Sequence, residues 1–194
     1  MKRSSRLAVA AVSLLLLAVY VVPLWHIDLI APQYPEGLGL RIWVNQITGL
    51  KPGDLNSING LNHYIGMRAI EPASFPELRY MPWLLGGAIA VGLVVALVGR
   101  RPLLYAWAGL FTLGAVAGLA DFWKWGYQYG HELDPKAIIK VPGMSYQPPL
   151  IGSRQLLNFH ATSWPDLGGW AIVLGLVIAA VVLVREHRRT VVNA

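Results

Sequence analysis

"WLLGGAIAVGLVVALVGRRPLLYAWAGLFTLGAVAGLA", residues 83–120, contains two apolar runs parted by three residues. Neither run, 83–99 or 103–120, carries a charge, and Arg100, Arg101 and Pro102 make up the whole hinge between them. Two further uncharged runs lie at 7–24 and 168–184. Each falls within or at the edge of the ~17–25 residues that cross a hydrocarbon core as a helix. The composition agrees: 55% of the 194 residues are hydrophobic and 13% charged, about half the charged share of an average soluble domain.

The positive charges set the orientation. Lys2, Arg3 and Arg6 precede the first run, Arg100 and Arg101 divide the second from the third, and Arg185, Arg188 and Arg189 follow the fourth. In a four-span chain these places share one side, which the positive-inside rule makes cytoplasmic. With Glu186 included, that side carries +7 and the opposite side −1, which accounts for the net charge of +6. The basic pI therefore reflects topology, and nucleic-acid binding is excluded because no basic cluster is interleaved with aromatics. The sequence predicts a multi-pass protein of a bacterial inner membrane with both termini cytoplasmic. The first run is read as a signal anchor, being longer than the usual h-region of a cleaved signal peptide.

Two long segments, 25–82 and 121–167, then lie on the outer, periplasmic face. Both are rich in Trp, Tyr, Pro and Gly, a composition of packed turns rather than disorder. Trp25, Trp83, Trp123, Trp125, Trp164 and Trp170 fall near the outer ends of the spans, where an interfacial aromatic belt belongs. The expected fold is an all-α membrane protein, one domain over 1–194. It is a four-transmembrane-helix bundle with a small periplasmic cap formed by two long loops.

The chain has no cysteine, which removes thiolate zinc, iron–sulfur clusters, C-x-x-C-H haem and disulfides. Metal chemistry is left to His, Met and carboxylate. His26, His63, His131 and His160 lie in the outer segments, as do Met67, Met81 and Met144. In "LNHYIGM", residues 61–67, a continuous helix would put His63 and Met67 one turn apart on one face. Thioether sulfur suits Cu(I), and imidazole suits both copper states. The competing reading packs Met67 under the cap and leaves His63 to bond a carbonyl. An EF-hand loop starting at Asp54 is excluded because its twelfth position is Ile65 rather than Glu; Asx-turns and a helix cap account for Asp54, Asn56, Asn59 and Asn62.

His26 and Asp28 follow the first span at a spacing found both in metal ligands and in interface turns, and Glu36 before Gly37 reads as a turn residue. His131, in "DFWKWGYQYGHELDP", joins carboxylates and aromatics in a possible ligand or docking surface. Met144 sits in a Pro-Gly turn, where an exposed thioether makes a better ligand than a core one. The candidate copper ligands are therefore His63, Met67, His26, Met144 and His131. No G-x-S-x-G, H-E-x-x-H, Walker A or G-x-G-x-x-G motif is present. The spans hold neither a histidine for mid-membrane haem nor a mid-span charge for ion transport. No complete catalytic site emerges, and the chain is read as a non-enzyme.

The segments "IDLIAPQYPEGL", "DLNSINGLNHYIGM" and "KVPGMSYQPPLIGSRQLLNF" resemble the small integral membrane protein of clade II nitrous oxide reductase operons, a family set among copper-maturation genes. The resemblance runs through both outer segments. It implies a role in assembling, supplying or anchoring a periplasmic copper enzyme, without a ligand set to carry over, and it ranks His160 below His63. Two expectations follow. One is an accessory protein that binds Cu(I) on its cap for nitrous oxide reductase and meets the enzyme or copper-delivery proteins. The other is a non-metal docking or scaffold subunit that anchors the reductase or its maturation partners.

Overall fold

The computed structural model describes residues 1–192, with side chains through Arg188; Arg189 of the basic set lies outside the described side chains. Four helices are long and apolar enough to cross a membrane. The first is α1 (Arg3–Leu15), continued as a 3-10 turn over Leu16–Tyr20; the others are α3 (Glu77–Val98), α4 (Arg101–His131) and α5 (Leu167–Val192). The α3–α4 hinge follows from its residues. Gly99 ends α3 in the left-handed region at φ 72°, and Pro102 opens the first turn of α4, where its missing N–H costs nothing. These four helices meet around Leu16, Leu104 and Trp107, with Val9, Val12, Val95, Phe111 and Val182.

The two long segments are where the sequence-based fold must be corrected. They are not loops on an all-α bundle but build a five-stranded antiparallel sheet, so the protein is mixed α/β. The strands are β1 (Trp25–Ala31), β2 (Tyr34–Ile42), β3 (Ile47–Gly49), β4 (Gly152–Leu156) and β5 (Phe159–Pro165), in the order β3-β2-β1-β5-β4. The middle strand β1 and its neighbour β5 come from different segments and pair from Trp25↔Pro165 to Ile30↔His160. The physical cause is alternation. In "FHATSWP" every second residue from Phe159 to Pro165 is buried, the period of a half-buried strand. "WHIDLIA" alternates in step, sending Trp25, Ile27 and Leu29 into the core. The turn signals at Pro32, Pro35 and Gly37 mark a hairpin and a bulge within it. Ala31 pairs with Tyr34 across a two-residue turn, and the register shifts between Leu29 and Ala31. Glu36 therefore sits in β2 beside left-handed Gly37.

One face of the sheet is covered by α2 (Asp54–Ile65) and the last turns of α4. α4 runs past the uncharged stretch because nothing breaks it. Phe122, Trp125 and Tyr129, at helical spacing, pack under the sheet, with Trp125 stacked on Phe122 at 5.7 Å and tilted against Tyr129 at 5.0 Å. The sheet joins the spans closely: Leu24 N–H donates to Ile42 O at 2.8 Å, and Asp166 N–H donates to Leu24 O at 3.0 Å.

The opposite, arginine-rich end is also tied. The N-terminal ammonium donates to Gly99 O at 2.8 Å, and Arg6 donates through Nε to Ala96 O at 2.6 Å. Both place positive charge on carbonyls at the end of α3, where the helix dipole favours it. Nearby, Glu186 is 1% exposed and joins three helices. Its Oε1 accepts from Lys2 N–H at 3.0 Å and Ser5 Oγ at 2.6 Å, and its Oε2 pairs with Arg101 Nε at 3.1 Å.

Candidate functional site

The polar residues of "DLNSINGLNHYIGM" fasten the cap together. Buried Asp54 accepts from the N–H groups of Gly39 and Lys51 at 3.0 and 3.1 Å, joining α2 to β2. Asn59 holds Ile70 by both of its backbone groups, accepting at 2.7 Å and donating at 3.2 Å. Asn62 donates to Arg68 O at 3.3 Å. The second segment then closes over the end of α2, where Asp134 N–H donates to Gly66 O and Ile139 N–H to Tyr64 O, each at 2.8 Å.

The same stretch decides how His63 and Met67 lie. α2 stops at Ile65, and Gly66 takes φ 80°. Met67 N–H donates to Asn62 O at 2.9 Å and Gly66 N–H to His63 O at 3.4 Å, the paired bonds of a Schellman ending. Met67 is therefore past the helix, and the one-turn spacing does not apply to it. Its side chain packs into the core under the sheet, while His63 is exposed with its ring edge toward Tyr64.

The other candidates are spread over the cap. Exposed His131 stacks on Tyr127 with ring centroids 4.0 Å apart, and its Nδ1 lies 3.0 Å from Tyr127 O. Half-buried Met144 is in a turn closed by its own N–H on Val141 O at 3.1 Å. His26 lies on the sheet between two carboxylates, 3.9 Å from Asp28 and 3.5 Å from Asp166. Arg41 bridges the same pair, at 2.7 Å to Asp28 and 3.7 Å to Asp166. The Arg41 guanidinium contacts both carboxylates, which makes the group an ion-pair network at the junction of the sheet and the apolar helices. Among the described residues no group of three or more His, Asp or Glu is arranged to hold a metal ion.

Two features that the sequence reading did not single out come from the sheet itself. The first is its open face. The register sends His26, Asp28 and Ile30 of β1 to the side away from α2, beside Trp164, Thr162 and His160 of β5. Ile30 is 52% exposed and Trp164 43%. The second lies on the covered face, a cleft of about 90 Å³ between the sheet, α2 and α4. Its walls include Ile27, Leu40, Ile58, Met67, Trp125 and Tyr146. The alternation of "FHATSWP" was the available signal for the open face; the cleft has no local signature, because its walls come from both segments.

No protein-family model and no curated protein matches this sequence.

Proposed function

We propose that the chain is a membrane-anchored accessory protein whose cap docks a periplasmic copper enzyme of the nitrous oxide reductase kind, or its maturation partner, at the bacterial inner membrane. The observation that carries this reading is the open sheet face. It mixes an exposed aromatic, an exposed aliphatic, histidines and a fixed ion-pair network, the make-up of a non-obligate protein interface. It stands on four helices whose flanks are apolar outward: Leu7, Leu97, Leu110 and Val177, one on each, are 54–75% exposed, an extent expected of surfaces that meet lipid. The direct sheet-to-span bonds give such a platform a fixed height above the bilayer. The choice of a copper enzyme as partner rests on the resemblance of the three quoted segments.

Copper delivery is the second reading, favoured by the gathering of His26, His63, His160, Met67 and Met144 in the cap, outside the four apolar helices. One experiment separates the two. In a host that reduces nitrous oxide, deletion of the gene is expected to leave the reductase exported and copper-loaded but lost from the membrane fraction. Restoring the gene with Ile30→Glu and Trp164→Glu together should not rescue retention, whereas Met67→Leu should rescue fully. Leucine keeps the volume and apolarity of Met67, and such core swaps usually cost under about 1.5 kcal/mol. A copper-free reductase in the deletion strain, with Met67→Leu also failing, would replace docking by copper delivery.

A further inference from the structure

The arginine-rich end of the four apolar helices carries positive charge that the fold gathers but does not pair. Lys2, Arg3, Arg100, Arg185 and Arg188 are exposed, and none has a side-chain hydrogen bond or ion pair among the described residues. The only acid in these segments of the chain is Glu186. It is buried, and its oxygens are engaged by Lys2 N–H, Ser5 Oγ and Arg101 Nε. Three of the five cations are anchored close together. Lys2 N–H donates to Glu186, the neighbour of Arg185 in the chain, and the preceding residue Met1 donates to Gly99 O, the neighbour of Arg100. Long, unpaired side chains rooted so near one another can bring three cationic heads to one anion. Exposed apolar surface begins beside each of them: Leu97 is 75% exposed three residues before Arg100, Leu7 is 62% exposed one turn beyond Arg3, and Val184 is 51% exposed next to Arg185.

We propose that this end is a binding site for an anionic phospholipid, its phosphodiester held among Lys2, Arg100 and Arg185 and its acyl chains laid along the apolar flanks beside them. The class follows from the two halves of the site. Guanidinium forks match phosphate oxygens in bidentate fashion, and cations gathered without a protein counter-charge repel one another until an anion joins them. A free phosphate would meet the charge and leave the leucine and valine flanks unused, whereas a lipid covers both. Glu186 does not compete, because its buried carboxylate is already engaged and serves to hold the ends of α1, α4 and α5 in place beneath the cations. The four helices are long and apolar enough to cross a membrane, so this end meets a headgroup layer whichever side it faces. The inference is therefore independent of the docking reading and of the orientation of the chain.

The test is native mass spectrometry of the full-length protein in detergent, titrated with phosphatidylglycerol or with phosphatidylcholine of the same acyl chains. Phosphatidylglycerol is expected to bind wild type roughly tenfold or more tighter, since each basic residue at an anionic surface is worth about fivefold. Lys2→Gln, Arg100→Gln and Arg185→Gln should each weaken its binding by about that factor, and the three together should remove the preference. Lys136→Gln, Lys140→Gln and Arg154→Gln together, which replace exposed cations of the cap, change the net charge equally and should leave the preference intact. Lys2, Arg100 and Arg185 make no side-chain contact that their replacement would break, so the melting temperature of that triple variant should not fall, and its lost binding cannot be misfolding. A fall would show that the three cations are paired, which overturns the proposal. Equal binding of the two lipids, equal loss in the two triple variants, or displacement of the lipid by millimolar inorganic phosphate would overturn it as well.

Discussion

Gly92→Ala should destabilise the span bundle by about 3 kcal/mol, the upper end of the usual cost of overpacking a core. A β-carbon at residue 92 would lie 2.2 Å from Ser13 Oγ and 2.9 Å from Trp107 Nε1. Neither neighbour can yield. Ser13 is fully buried and donates to Val9 O at 2.9 Å; Trp107 is 2% exposed and donates to Ala88 O at 2.9 Å. α1, α3 and α4 therefore meet at a glycine because only a hydrogen fits between them. Thermal unfolding in detergent should register a loss of about 6–12 °C, given ~2–4 °C per kcal/mol for a chain of this size. Adding Ser13→Ala should recover part of it by removing the nearer clash, a coupling expected of residues in contact. An unchanged melting temperature in Gly92→Ala would show that α1 and α3 do not approach this closely.

Glu186→Ala is expected to cost a comparable amount, about 3 kcal/mol. Breaking a buried ion pair by removing one partner usually costs ~3–5 kcal/mol because the other charge is left uncompensated. The lower end applies because the Arg101 side chain is 34% exposed and can turn to water. The loss should be felt between helices, since the one carboxylate links the start of α1, the start of α4 and α5. Glu186→Gln keeps an acceptor for Ser5 but not the charge, so its melting temperature should fall between those of wild type and Glu186→Ala. Equal melting temperatures for all three proteins would mean the cluster contributes nothing to holding these ends together.

The part of the fold written locally was legible. Uncharged runs and the Gly-Arg-Arg-Pro hinge located four apolar helices, although α3 begins six residues before the run at 83, α5 continues eight residues past 184, and the final turns of α4 continue through Asp121 and Lys124. The sheet was not legible as a sheet, although its strands left traces. "WHIDLIA" and "FHATSWP" alternate, but prolines and glycines around them read as loops, and the β1–β5 pair joins Trp25 to Pro165, a separation no local pattern reports. The His63–Met67 pair shows the opposite error, a local pattern extended too far. Gly66 was the helix stop in plain view, and once it ends α2, Met67 turns into the core while His63 stays in solvent. His26 and Asp28 belong with Arg41 and Asp166, which come from a neighbouring strand and from the far end of the chain. Nothing in the local sequence around His26 announces either.

The two long segments form one sheet, and we propose that this sheet stands on the outer side of the membrane. The absence of native cysteine allows both halves to be tested at once with Ile30→Cys and His160→Cys. These positions face each other in register on the open face, and opposed residues of antiparallel strands have Cα atoms ~4.5–5.5 Å apart, within the ~4.4–6.8 Å a disulfide spans. In intact spheroplasts a membrane-impermeant oxidant should link this pair, giving a reducible mobility shift, while Ile30→Cys with Gly152→Cys, on the far edge strand, should not link. No cross-link at Ile30/His160, or one that forms only after the membrane is broken, would contradict the account.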